Sequence, residues 1–234
     1  MLEIQKQLKQ FESTISMERL ESFLQGEKTN LETILCAYKN NIIISQALYP
    51  ELSILEITLR NAINTMLCTY ISPNWIENEI QNKNILFDYD FSLLNKAYCD
   101  AQKESKNKQF KIGKVVANLN FGFWTNLCSK KYNSLLWTKK GCFKAVFINY
   151  PPEKKQQIHE ISTNLCSIRK LRNRIFHYEP IFKNPKMLLN KYNQILEILS
   201  YLPQDNANLL RDTSTFIKTY NLVTKKPEAL YEKS

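Results

Sequence analysis

PELSILEITLRNAINTMLCTYI, residues 50–71, carries the clearest structural pattern in this chain. Its apolar residues recur at steps of three and four, which places them on one face of an α-helix. That stripe consists of Leu52, Leu55, Leu59, Ala62, Met66 and Tyr70. Proline is tolerated in the first turn of a helix, and Ser72-Pro73-Asn74 supplies an end signal. The stretch therefore predicts one long helix that begins near Pro50 and ends before Ser72.

Similar patterns run through the rest of the 234 residues. Helices are predicted over 29–49 with a Thr29–Glu32 capping box, over 91–104 after Asp90, over 120–137, from Pro151-Pro152 to about His177, over 184–201 and over 205–221. Residues 74–90 are predicted to be irregular, and 103–111 to form a basic loop. Four glycines are too few for a sheet protein with many tight turns, so the sequence predicts an all-α fold.

The domain organisation is predicted to be simple. No internal repeat, linker or low-complexity block is found, and the length suits one large domain. Residues 1–234 are therefore interpreted as one helical domain, with frayed tails at 1–14 and 222–234.

The sequence lacks the motifs of several protein classes, and their absence excludes those classes. Neither GxGxxG nor GxxxxGK[ST] occurs, so phosphate-cradling loops of those kinds are absent. The six cysteines contain no CxxC pair and there are two histidines, so we predict no metal site and no cofactor. The first residues lack the apolar segment of a signal peptide, and charges and a proline interrupt the longest apolar run. We expect a cytoplasmic protein with reduced thiols and no membrane contact.

The charge balance favours an anionic partner. The net charge is +10, from 32 basic and 22 acidic residues, and nucleic acid is the first candidate for such an excess. The alternative is that lysine-rich composition reflects codon bias. Candidate RNA contacts, all basic, are Lys130, Lys131, Arg169, Lys170 and Arg174.

A second stretch, IRKLRNRIFHYEPIF at residues 168–182, places polar groups in an unusual position. On a helical wheel, Ile158, Ile161, Leu165, Ile168 and Ile175 all lie within about 60° of Arg172. Arg172 is therefore central to an apolar stripe, where it must be paired in the core, face a subunit interface or line a cleft. Asn173 and His177 are four residues apart at the rim of the same stripe, so their side chains are neighbours.

The helix at 50–71 contains a related pattern, Glu56-x-x-x-Arg60-Asn61. Glu56 and Arg60 are four residues apart and could pair along their own helix. The other interpretation is that Glu56 reaches Arg172, and that Glu56, Arg60 and Asn61 form a supporting network around it.

These residue types suit RNA cleavage without a metal. The RNA 2′-hydroxyl is itself the nucleophile, an imidazole with a pKa near about 6.5 can move a proton, and an arginine can hold the phosphate oxygens. Transesterification is helped by both a base and an acid, and a homodimer would bring two copies of His177 together. The three residues therefore predict a metal-independent endoribonuclease.

Arg172-Asn173-x-x-x-His177 resembles the Arg-x4-His signature of the HEPN superfamily of helical ribonucleases, and within it the Abi-like (AbiD/AbiF-type) proteins. The resemblance also covers ALYPELSILEITLRNAI at 47–63 and NFGFWTNLCSKKYNSLLW at 120–137. It implies a HEPN-like helical bundle with additional helices, homodimerisation, and endoribonuclease activity in abortive infection or a toxin-like system. It also implies that Arg172 and His177 are catalytic with Asn173 in support, and that a small non-coding RNA is a partner. The family often has a second histidine where this chain has Tyr178.

Other interpretations stay open. His177 can simply occupy a helix C-terminus, where a cation is favoured by the dipole, and Arg172 can be a structural partner of Glu56. The aromatic residues of 121–137 are predicted to be core, the alternative being base stacking. In place of a nuclease, the chain could hold a structured small RNA, or act through protein contacts alone.

Overall fold

The computed structural model describes residues 14–23, 31–105, 109–203 and 207–225. Every regular element in these ranges is a helix, no strand occurs among them, and 75% of these described residues are helical. The predicted all-α class is confirmed. Thr29 of the predicted capping box, residues 106–108 of the predicted basic loop and most of both predicted tails lie outside the described residues.

The helices are labelled in chain order. They are α1 (Met17–Glu21), α2 (Leu31–Ala47), α3 (Tyr49–Tyr70), α4 (Trp75–Asn82), α5 (Asp88–Glu104), α6 (Ile112–Asn118), α7 (Phe121–Leu127), α8 (Cys142–Val146), α9 (Ile158–Phe176), α10 (Pro185–Tyr201), α11 (Ala207–Thr213) and α12 (Phe216–Lys225). A 3₁₀ turn at Lys130–Tyr132 and a π-helical turn at Asn133–Trp137 lie between α7 and α8.

The chain divides into two compact units, each assembled from discontinuous segments. Unit 1 consists of Met1–Leu52, Lys170–Asn193 and Leu209–Ser234, and unit 2 of Ser53–Arg169 and Gln194–Asn208. The unit boundaries fall inside helices α3, α9, α10 and α11. The single domain predicted over 1–234 stays a prediction.

Two predicted helix starts were wrong. The helix predicted from Pro151 begins seven residues later, at Ile158. Pro152 disfavours the helical region at residue 151, and the Lys154 amide donates to the Pro151 carbonyl at 3.1 Å to close a turn there. Helix α5 begins at Asp88, with Phe87 as its N-cap, and Asp90 lies inside the helix with a fully buried carboxylate. Asp90 is therefore not the predicted cap. Asn184 does cap α10, since its Oδ1 accepts the Met187 amide at 3.0 Å.

Three other segments differ from the prediction in where they are helical. Residues 75–82 form α4 where an irregular segment was predicted, and its buried Glu79 accepts backbone N–H groups of residues 84, 85 and 86 at 2.9–3.1 Å. The predicted helix over 120–137 is α7 followed by the 3₁₀ and π turns. The predicted last helix is two helices, α11 and α12, and α12 continues to Lys225, so residues 222–225 are not frayed.

In unit 1, α2 packs against α1 and α12. Leu20 and Phe23 bury against Ile34 of α2, and the rings of Tyr192 and Phe216 stack with centroids 4.2 Å apart. Burial of such apolar area contributes about 25 cal/mol per Å² to the stability of the unit.

The core of unit 2 is aromatic, as predicted for 121–137. The buried rings, each at most 5% exposed, are Phe121, Phe123, Trp124, Tyr132 and Trp137. Trp124 meets Phe123 and Trp75 edge to face at 5.0 and 6.5 Å, and its indole N–H donates to the Leu119 carbonyl at 3.3 Å. These rings are therefore not available to stack on RNA bases.

One helical stretch, Glu32–Tyr70, meets the length and composition of a membrane span, with a mean hydropathy of 1.3 over its most apolar window. This differs from the expectation that no segment is apolar enough. Of that window, 44% is buried inside the protein. Core helices of soluble proteins pass the same test.

Glu51 of α3 is a buried carboxyl in unit 1 whose pKa predicts a pH effect. It is 0% exposed and accepts a hydrogen bond from the Ser214 hydroxyl. Burial raises its pKa above the ordinary 4.5, outweighing the hydrogen bond, which lowers it. Because this pKa is raised, the favourable contribution of Glu51 to the free energy of unfolding is complete below pH 4.5. That contribution is lost as the pH rises through the pKa of the folded state.

Glu51→Gln, which stays neutral, is therefore expected to unfold at higher urea than wild type at neutral pH. The difference should disappear below pH 4.5, where wild-type Glu51 is also neutral. Urea titrations of both proteins at the two pH values measure this. Glu32→Gln, on the exposed first turn of α2, is the matched control and should show no such pH-dependent gain. A destabilised Glu51→Gln at neutral pH would contradict the argument.

Candidate functional site

The C-terminus of α9 ends in a complete Schellman motif. The Tyr178 amide donates to the Ile175 carbonyl at 3.0 Å, and the Glu179 amide donates to the Arg174 carbonyl at 2.9 Å. His177 is the capping residue between them, and its amide still makes a helical bond to the Asn173 carbonyl at 2.9 Å. The motif sets the direction of the chain at the residue that carries the imidazole.

Tyr178 occupies the left-handed position of this motif, with φ of 58°. Glycine is the usual residue there, and a side chain in this conformation costs about 1–2 kcal/mol. The surrounding contacts must offset that cost. The Tyr178 ring is 69% exposed, and the guanidinium of Arg19 lies 5.8 Å from its centroid.

Three side chains of unit 1 fix the turn that follows α9. Arg19 Nη2 donates to the His177 carbonyl at 2.5 Å. Asn41, which is 4% exposed, donates from its amide to the Glu179 carbonyl at 3.2 Å and accepts the Ile181 amide at 2.7 Å. Arg174 pairs with the Glu179 carboxylate at 3.2 Å and also donates to the carbonyl of residue 180. The backbone around His177 is therefore held from α1, α2 and α9.

Arg172 is half-buried on α9, as its place in the apolar stripe predicts. Its guanidinium carbon lies 4.1 Å from the centroid of the Phe176 ring, one turn further along the helix. A guanidinium stacked on an aromatic face has a restricted orientation and keeps its N–H edge for other partners. The Phe176 ring is 47% exposed, so the stacked pair lies at the surface of the unit.

Asn173 and His177 are both exposed. They lie one turn apart at the end of α9, as their spacing predicts. Arg172, Asn173 and His177 therefore lie together at the C-terminal end of α9. The arginine is half-buried, and the other two side chains are exposed to solvent.

The five predicted RNA-contacting residues fall into two groups, and Arg174, which pairs with Glu179, belongs with those that make internal contacts. Lys130 and Lys170 are exposed. Arg169 Nη1 is used internally in unit 2, where it donates to Gly122 O at 3.3 Å, Thr125 Oγ1 at 3.1 Å and Asn126 Oδ1 at 2.6 Å. Lys131 pairs with the buried Asp90 at 2.5 Å. Arg169 and Lys131 therefore have structural roles that the sequence interpretation did not foresee, and RNA contact by any of these residues stays a prediction.

The predicted supporting residues Glu56, Arg60 and Asn61 lie in unit 2. Arg60 Nε donates to Asn61 Oδ1 at 3.2 Å. The Arg60 side chain makes no other hydrogen bond within the described ranges. Arg60 makes no ion pair with Glu56 there. The alternative, a link from Glu56 to Arg172, stays a prediction.

Arg19 and Asn41 are residues that the sequence interpretation missed. They contact the turn from 158 and 138 residues away, and a local pattern holds no information on such contacts. A sequence pattern could have indicated Asn41. The pair Asn40-Asn41 interrupts an apolar helical run immediately before Ile42-Ile43-Ile44. A polar side chain in such a run must find buried partners.

In the part of the chain that the structure describes, no group of three or more His, Cys, Asp or Glu side chains could hold a metal ion. Burial also raises the pKa of the thiols of Cys68, Cys128 and Cys142, which lowers their nucleophilicity. The chemistry available at the end of α9 is that of a guanidinium, an amide and an imidazole.

A scan against models of protein families, a search of curated proteins and a search of solved structures each found no match to this chain. The resemblance to HEPN proteins therefore rests on the three sequence blocks alone.

Proposed function

We propose that this protein is a metal-independent endoribonuclease of the HEPN type, Abi-like within that group, and that it acts as a cytoplasmic homodimer in phage defence or a toxin-like system. The observation that carries the proposal is the end of α9. There Arg172 is stacked on Phe176, and His177 lies on a turn fixed by Arg19, Asn41 and Arg174.

In the proposed reaction the 2′-hydroxyl of RNA attacks the adjacent phosphorus and the bond to the 5′-oxygen breaks. His177 accepts the 2′-hydroxyl proton, and His177 of the partner subunit returns a proton to the leaving 5′-oxygen. Arg172 binds the phosphate oxygens through its fork, where charge develops in the transition state. Asn173, one turn before His177, orients the imidazole or the phosphate. The products are a 2′,3′-cyclic phosphate and a 5′-hydroxyl.

The test is incubation of the purified protein with a defined single-stranded RNA in EDTA, beside the double variant Arg172→Ala/His177→Ala. Cleavage by wild type alone, with 2′,3′-cyclic phosphate ends, is the expected result. No cleavage, together with one discrete RNA species bound to the purified protein, would favour the alternative in which the chain holds a structured small RNA. Cleavage by both proteins would show a contaminating nuclease and would remove this support.

Arg19→Ala is expected to lower kcat for RNA cleavage about tenfold with little change in KM. Arg19 does not carry chemistry, and it acts by holding the His177 carbonyl, with its guanidinium near the ring of Tyr178. Arg19→Lys, which keeps a donor for that carbonyl, should recover part of the rate. Arg211→Ala, an exposed arginine of the same unit, is the control. A wild-type kcat in Arg19→Ala would show that this contact does not position His177.

A further inference from the structure

Unit 2 contains a cavity of about 260 Å³ that the proposed nuclease reaction does not use. Helix α3 contributes Arg60, Asn64 and Cys68, which are four residues apart and therefore form one row along the helix. The start of α4 contributes Glu77, and α6 contributes Gly113. The remaining wall is mostly aliphatic, from Ile76, Ile112, Val116 and Ala117.

Two opposite charges line this cavity without pairing. Arg60 and Glu77 are both half-buried, and neither makes an ion pair with any described residue, including each other. Arg60 is bonded to the exposed Asn61 amide oxygen, and no ion pair compensates either Arg60 or Glu77 for the hydration that partial burial removes. A ligand that carries the complementary charges would supply both missing partners.

The end of the cavity near Arg60 presents hydrogen-bond donors. Asn61 Oδ1 accepts from Arg60 Nε at 3.2 Å, and Asn64 Oδ1 accepts from Trp75 Nε1 at 3.1 Å. Both amide oxygens are thus occupied, while the two –NH2 groups make no hydrogen bond within the described ranges. Together with the guanidinium they form a set of donors that suits a carboxylate or phosphate.

The opposite end is acidic. Glu77 lies close enough to Cys68 to contribute, after burial, to the raised pKa of that thiol. Arg60 and Cys68 are eight residues apart on α3, which is about 12 Å along the helix axis. The cavity is therefore positive at one end, negative at the other and aliphatic between them.

We propose that this cavity binds a small zwitterion, with a carboxylate or phosphate at Arg60, an amine at Glu77 and a short apolar chain between them. The volume is at the small end of ligand pockets, so the occupant is a compact metabolite. Arg60 and Asn61 also belong to the supporting network predicted from the sequence, but the cavity contains none of Arg172, Asn173 and His177, so its failure would leave the nuclease proposal unchanged.

The chain has three tryptophans, so a ¹⁵N spectrum has three indole N–H signals, and Trp75 lies in the cavity wall. The Trp75→Phe variant assigns its signal, and Trp137, whose indole donates to the Leu127 carbonyl at 2.7 Å, is the internal control. The probes are glycine, γ-aminobutyrate and ε-aminocaproate, which differ in the distance between amine and carboxylate. Caproate and hexylamine, each with one charge, are the matched controls. Aminoethyl phosphate tests whether the cavity binds a phosphate more tightly than a carboxylate.

We expect one member of the amine-bearing series to shift the Trp75 signal saturably with a Kd of about 1 mM, and at least tenfold tighter than either singly charged control. Arg60→Gln and Glu77→Gln should each weaken that binding tenfold or more. Equal binding of caproate or hexylamine, or no shift of the Trp75 signal with any probe, would overturn the proposal.

Gly113 lines the cavity and supplies a variant that adds bulk to its wall without touching its charges. A Cβ added there meets no atom within 4 Å, so a side chain can enter the space. Gly113→Leu should abolish the Trp75 shift, and Gly113→Ala, which changes helix propensity but adds only a methyl group, should retain it. Retained binding in a folded Gly113→Leu protein would place the ligand elsewhere.

Discussion

His177→Ala is expected to slow RNA cleavage by a factor of about 10²–10⁴, the usual contribution of a positioned general acid or base. The backbone of residue 177 makes its contacts through the amide to Asn173 and through the carbonyl to Arg19, and alanine retains both. The substitution therefore removes the imidazole and leaves the turn in place. Single-turnover cleavage of a defined RNA, with unchanged thermal unfolding, measures the chemical effect alone.

The matched control for this substitution is His159→Ala. His159 is the only other histidine of the chain and is exposed near the start of the same helix, α9. It should cleave at the wild-type rate. If His177→Ala keeps the wild-type rate, the histidine is a helix-end residue favoured by the dipole, and the nuclease mechanism loses its proton carrier.

Periodicity predicted what depends on local spacing. The stripe around Arg172 correctly indicated a half-buried arginine with Asn173 and His177 beside it, because those relations follow from the geometry of one helix. The same reasoning located α10 and the helix through 50–70. It could not supply Arg19 or Asn41, whose contacts with the turn depend on how distant segments pack.

The errors at α4 and at the start of α5 have a common physical origin, which is that a polar residue can be buried when it satisfies other groups. Glutamate and aspartate usually lie at the surface, yet Glu79 and Asp90 are both at most 1% exposed. Glu79 accepts three backbone N–H groups after α4, which stabilises a short helix that periodicity alone did not indicate. Asp90 resembled an N-cap in sequence, but its carboxylate is committed to side chains 36 to 42 residues away.

Asp90 is the centre of a buried polar network in unit 2. Its carboxylate accepts hydrogen bonds from Asn126 at 2.9 Å and from the Tyr132 hydroxyl at 2.8 Å, and it pairs with Lys131 at 2.5 Å. Asn126 in turn accepts from Arg169 of α9 at 2.6 Å. The network therefore connects α5, α7 and α9. Its one carboxylate holds donors from three other residues, so a single substitution can affect all of them.

Asp90→Ala is expected to lower the free energy of unfolding by about 3 kcal/mol, because a donor left without its acceptor in the core costs about 1–3 kcal/mol and Asp90 is the acceptor for both Tyr132 and Asn126. Alanine leaves the Tyr132 hydroxyl and the Asn126 amide buried without an acceptor, and Tyr132 is 0% exposed. The loss is a large fraction of the roughly 5–15 kcal/mol by which a domain is stable. Urea unfolding followed by tryptophan fluorescence measures it, since Trp124 lies in the same core.

Asp88→Ala separates this effect from the loss of a negative charge on α5. Asp88 lies two residues earlier in the first turn, its side chain is 93% exposed, and its ion pair with Lys83 is at the surface. Exposed pairs contribute little, so this variant should unfold at nearly the wild-type urea concentration. Equal destabilisation by the two substitutions would mean that the helix dipole of α5, and not the buried network, accounts for the loss. A large effect of Asp90→Ala alone would assign Lys131 and Arg169 to folding, and would leave Lys130 and Lys170 as the exposed basic residues to test for RNA binding.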